Sequence, residues 1–123
     1  MNDTKGSFVL KNRDQDYISN IYAYIGYAHM SKTEFNLALD FFNKSDAIFS
    51  SLPPSDERVH FHKNIVTKLV TLEMQVSKNL PKGFKHLERL RNMILSNSRE
   101  SDHKKLKDLV VLLLEYEMVP SNF

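Results

Sequence analysis

Cysteine is missing from all 123 residues, which removes disulfides, thiolate metal sites and cysteine nucleophiles together. Tryptophan is missing too, and three Gly and four Pro are a small stock of turn formers for this length. Neither sign of charge is in excess: 17 basic and 15 acidic side chains leave a formal net charge of +2. Long apolar runs are also lacking. The longest, LVVLLL at 109–114, falls far short of the roughly 20 residues that span a bilayer. The opening MNDTKGSFVLKN holds an apolar run of only three residues, too short for a secretory signal core. No phosphate-cradling Gly loop and no GxSxG is present, so neither a catalytic residue nor a cofactor is expected. The expectation is a cytoplasmic, non-membrane chain of one domain.

What is present is helical periodicity. Strand-type alternation bounded by turn residues is not found, whereas 3.6-residue spacing recurs throughout, so the predicted class is all-α. Five helices are expected, near 13–31, 33–51, 55–79, 82–96 and 102–119. They form one domain over 13–119, with a flexible segment at 1–12 and a tail at 120–123. LPPS (52–55) stops the second helix, because proline lacks an amide hydrogen and restricts its predecessor. Ser55 is placed to cap the third, with Asp56 and Glu57 favourably set in its first turn. LPKG (80–83) and Pro120 are the later breaks. The short linkers predict that successive helices pack as antiparallel neighbours.

The first helix carries two stripes. Ile18, Ile21, Ile25 and Ala28 form an aliphatic one, expected to face the core. Tyr17, Asn20, Tyr24, Tyr27 and Ser31 form a second, turned by about a quarter revolution. Tyr and Asn combine broad contact area with hydrogen-bonding tips, a composition suited to gripping a polar backbone. Burial of the same tyrosines against a neighbouring helix is the structural alternative.

Tyr22, Ile25, Gly26, Ala38 and Phe42 resemble the tetratricopeptide repeat, a helix-turn-helix unit of 34 residues with small and aromatic residues at fixed offsets. In that pattern Gly26 allows close helix approach, Ala38 faces it, and Phe42 fills the space one turn on. His29, where the family prefers Tyr, and Ser45, where it prefers Ala, depart from the pattern, and Pro53 falls a few residues late. The match covers 19–52; the helices at 55–79 and 82–96 look like degenerate repeats. The resemblance implies a short right-handed α-α stack and a protein or peptide partner. A narrower similarity, to bacterial peptide-pheromone sensors, implies a peptide lying against Asn20, Ala23, Tyr24, Tyr27 and Ser31.

Other constellations speak to partners. His60 and His62 lie two apart on a helix and cannot share a metal, so no metal site is expected. His62 sits among Phe61, Ile65, Val66 and Leu69 and joins the candidate binding residues, as a groove-lining or buried histidine. Asp40 and Asp46 are expected on a solvated face. Residues 78–107 carry net +6, against −1 before them and −3 after. Lys82, Lys85, Arg89 and Arg91 form a candidate basic patch there; its readings are the solvated face of an amphipathic helix, an acidic protein partner, and nucleic acid, the alternative function. The last helix is apolar almost all round. Val111, Leu112 and Leu114 are therefore candidates for a homodimer interface, unless Phe8, Val9 and Leu10 fold back over them. The leading expectation is a non-catalytic regulatory or adaptor module that grips an extended peptide or partner segment.

Overall fold

The computed structural model describes residues 3–115, with side chains described for 12–111. Among these the protein is all-α and contains no strand. Its elements are α1 (Asp3–Ser31), α2 (Phe35–Ser51), α3 (Asp56–Leu72), α4 (Leu80–Ser96) and α5 (Asp102–Glu115), with a single π-helical turn (Glu73–Ser77) between α3 and α4. The first helix thus begins ten residues before the predicted boundary at 13, within the segment expected to be flexible. The tail at 120–123, and the expected end of α5 at 119, lie outside the described residues.

Local chemistry sets the boundaries. Ser55 Oγ accepts from the Arg58 amide at 3.3 Å, capping α3, with Asp56 and Glu57 meeting the positive end of the helix dipole. Asn79 Oδ1 caps α4 by accepting from the Lys82 amide at 3.2 Å. Pro81 then sits inside the first turn of α4, where its missing amide hydrogen costs nothing, so LPKG starts this helix. Thr33 (φ 61°) and Lys78 (φ 57°) take the left-handed conformation that lets the chain leave α1 and the π turn.

α3 is the spine. Its Ile65, Leu69 and Leu72 join Ala23, Ala38, Phe42 and Phe49 in one buried cluster. On the same helix, Val66 and Val70 join Met74, Leu90, Ile94 and Leu109 in another. Phe42 is fully buried, and its truncation to Ala is expected to cost about 3–5 kcal/mol. Charge is buried as well: Lys63 Nζ donates to Asp102 Oδ2 at 2.8 Å, with the two side chains 0% and 2% exposed. That pair ties α3 to α5, and Lys63 also donates to the Asn97 carbonyl ahead of α5.

The aliphatic stripe of α1 does not face inward. Ile18 and Ile21 are 39% and 55% exposed, Ala28 is exposed and Ile25 only half-buried. The arc turned toward α2 carries Ser19, Ala23, Gly26 and Met30 instead, of which the first three are buried. Ser19 Oγ lies 3.0 Å from both the carbonyl and the hydroxyl of Ser45, so two small polar residues meet where large ones would hold the helices apart. A Cβ on Gly26 would stand 2.9 Å from the Phe42 ring. Gly26 therefore makes room for Phe42, and Ala38 is buried in the same cluster.

Candidate functional site

Between α1 and α3 lies a hollow of about 110 Å³. Ala23, Phe49 and Ile65 contribute its apolar lining, and Asn20, Tyr24, Tyr27, Phe61 and Asn64 the remainder. Tyr24 is 66% exposed and Phe61 47%. Tyr27 is held edge-on to Phe42, centroids 5.0 Å apart; burial, and then the neighbouring Tyr24, raise its phenol pKa. The Asn20 and Asn64 carboxamides have no hydrogen-bond partner among the described residues. Each offers two donors and an acceptor beside aromatic surface.

Three residues of the predicted stripe, Asn20, Tyr24 and Tyr27, thus come together at one hollow. Two do not. Tyr17 is 61% exposed but stands outside the lining, and Ser31 donates to the Tyr27 carbonyl at 3.1 Å. Phe61 and Asn64 were missed as members of this site. A signal for them exists: the spacing Tyr17-x-x-Asn20 on α1 recurs as Phe61-x-x-Asn64 on α3.

The same side of α3 continues into a second hollow. Phe61, Asn64, Lys68 and Thr71 follow helical i, i+3, i+7, i+10 spacing. The last two, with Thr67, Gln75, Asp108 and Val111, line about 320 Å³ between α3 and α5. Val111, 47% exposed, borders this hollow, while Val110 turns toward α4. The side chains of Leu112 and Leu114, and of Phe8, Val9 and Leu10, lie outside the described residues.

His62 belongs elsewhere. Its Nε2 lies 2.6 Å from Asp46 Oδ1, and its ring stacks obliquely on Phe49 at 5.4 Å. Asp46 also accepts two bonds from Arg89, at 2.7 and 3.0 Å. Asp46 is therefore buried at the junction of α2, α3 and α4, which corrects the expectation of a solvated residue; Asp40 is exposed. Burial would raise the Asp46 pKa, but hydrogen bonds from His62 and Arg89, with the Arg89 charge, hold it well below the usual carboxylate range. Arg89 NH1 also faces His86 Nδ1 at 3.0 Å, where Nδ1 must accept. Burial first, then the Arg89 charge, lower the His86 pKa and keep the ring neutral.

A cavity of about 410 Å³ opens beside this junction, over Phe49, Leu52, Val59 and Met93. Its cations are already engaged: Arg89 by Asp46, and Arg58 by Asp16 at 2.7 and 2.8 Å. The candidate basic patch is divided accordingly. Lys85 and Arg91 are exposed, Arg89 is spent on Asp46, and Lys82 Nζ lies 3.7 Å from the buried Glu73. Among the described residues no three metal-ligating side chains come together, and no helix is long and apolar enough to cross a membrane.

Protein-family models, curated proteins and solved structures give no match to this chain.

Proposed function

We propose that this protein is a non-catalytic peptide- or partner-binding module of a regulatory or adaptor kind, acting in the cytoplasm. The bound segment runs extended across α1 and α3. The single observation that carries the reading is the pair of uncommitted carboxamides, Asn20 and Asn64, on opposite sides of a hollow flanked by Tyr24 and Phe61. A carboxamide supplies both halves of a peptide group's hydrogen bonding. Two of them on neighbouring helices can hold a backbone while the aromatic rings pack on its side chains.

The tetratricopeptide-like spacing of Gly26, Ala38 and Phe42 supports the same reading, as a short right-handed stack of antiparallel helices with α1, α3 and α5 contributing one shared face. The hollow beyond Lys68 and Thr71 extends the path for a ligand longer than the first hollow holds. Binding would act by population shift, stabilising whichever state presents this face. The nucleic-acid alternative is weakened by the engagement of Arg89 and Lys82 within the fold.

The test is selection from a random peptide library. Selected peptides are expected to lose at least tenfold in affinity on Asn20→Ala or Asn64→Ala, with thermal unfolding unchanged. A library yielding no binder, or binders indifferent to both substitutions, sinks the reading.

A further inference from the structure

The two hollows of the proposed binding face differ in charge, and the difference selects a class of ligand. No charged side chain lines the one between α1 and α3. The one between α3 and α5 has Lys68 on its α3 wall and Asp108 on its α5 wall. Neither side chain has an ion-pair or hydrogen-bond partner among the described residues. Lys68 is half-buried and Asp108 exposed. Elsewhere in the fold, Arg58, Lys63 and Arg89 each hold a carboxylate within 2.8 Å. Lys68 holds none.

Lys104 stands one turn before Asp108 on the same side of α5 and is exposed, so it offsets that carboxylate through solvent. Lys68 is left as the uncompensated charge. An ammonium partly withdrawn from water gains more from a counter-ion than a fully exposed one does. Gln75 adds an uncommitted carboxamide donor beside it. The complement of this hollow is therefore an anionic group. Lys68 follows Asn64 by one helical turn, about 6 Å along the axis. An extended chain covers that distance in about two residues and brings its side chain back to the same side.

We propose that the bound segment is acidic at one position: it sets an apolar side chain over the α1–α3 hollow and, two residues away, an Asp or Glu side chain against Lys68. This rests on the peptide-binding reading of the same face. The uncharged hollow supplies the apolar contact, and Lys68 supplies the choice of sequence.

The test uses random peptides with amidated C-termini, so that only side chains carry carboxylates, selected on the full chain. Selected sequences are expected to be enriched in an apolar residue two positions from an acidic one. Replacing that Asp or Glu by its amide is expected to weaken binding at least tenfold at low salt. Lys68→Glu should do the same with circular dichroism unchanged, and a peptide carrying Lys in place of the acid should regain affinity for that variant. Binders that depend on Asn20 and Asn64 yet are indifferent to Lys68→Glu, as they would be with residues 116–123 filling the second hollow, overturn this inference and leave the peptide-binding reading standing. So does a loss on Lys68→Glu that the charge-reversed peptide does not recover. A library yielding no binder, or binders indifferent to Asn20 and Asn64, removes both.

Discussion

Asp46 shows how one carboxylate can order three helices. It accepts from Arg89 on α4 and lies against His62 on α3, so its ionised form is worth more folded than unfolded. Its folded pKa, and that of Asp102, are depressed. The stability they contribute is therefore full above the ordinary carboxylate range near about pH 4 and is lost as pH falls through the folded values. His60 and His86 are also lowered, first by burial. Below about pH 6.5 the unfolded chain takes up protons that these two rings refuse. Both effects have the same sign. Urea midpoints are expected to decline from pH 7 to 5 and more steeply below 4, with Asp46→Asn flattening the lower limb. The Lys63–Asp102 pair gives a sharper test, because neither side chain reaches solvent. Asp102→Asn strands a buried ammonium and is expected to cost about 3–5 kcal/mol, whereas Lys63→Met with Asp102→Leu should recover most of that. A double-mutant cycle by chemical denaturation measures the difference.

At the level of elements, the approach of α1 to α2 depends on what is small. Ser19, Ala23 and Gly26 meet Ser45 and Phe42, and the larger Ile18 and Ile21 are left outward. Gly26→Ala would bring a methyl to 2.9 Å from the fully buried Phe42 ring. Despite alanine's better helix propensity, it is expected to destabilise by about 1–3 kcal/mol, read as a lower thermal midpoint. The sequence shows the caps and the breaks: Ser55 sits where its spacing placed it, and the α3–α4 boundary falls at Leu80. It does not show which arc of α1 faces inward. Apolar content is spread around that helix, and packing chose the arc that lets backbones come closest over the arc with the most hydrocarbon.

For the whole molecule, the exposed aromatic residues at the α1–α3 hollow should be separable from stability. Tyr24→Ala and Phe61→Ala remove side chains that are 66% and 47% exposed. They are expected to change unfolding free energy by no more than about 0.5 kcal/mol while reducing affinity for selected peptides at least tenfold. Isothermal titration alongside chemical denaturation checks both. If stability falls with affinity, these rings are packing the fold.

Helix number, the absence of thiol chemistry and the grouping of Asn20 with Tyr24 and Tyr27 were determined by the sequence alone, because each depends on residue type and spacing along one helix. Only the tertiary structure brought Phe61 and Asn64 to the same hollow, drew His62 and Arg89 onto Asp46, and turned Val110 and Val111 to different neighbours. Those relations join residues up to about forty positions apart. They are set by how helices cross and which charges must be neutralised in the interior, and a one-dimensional pattern holds neither.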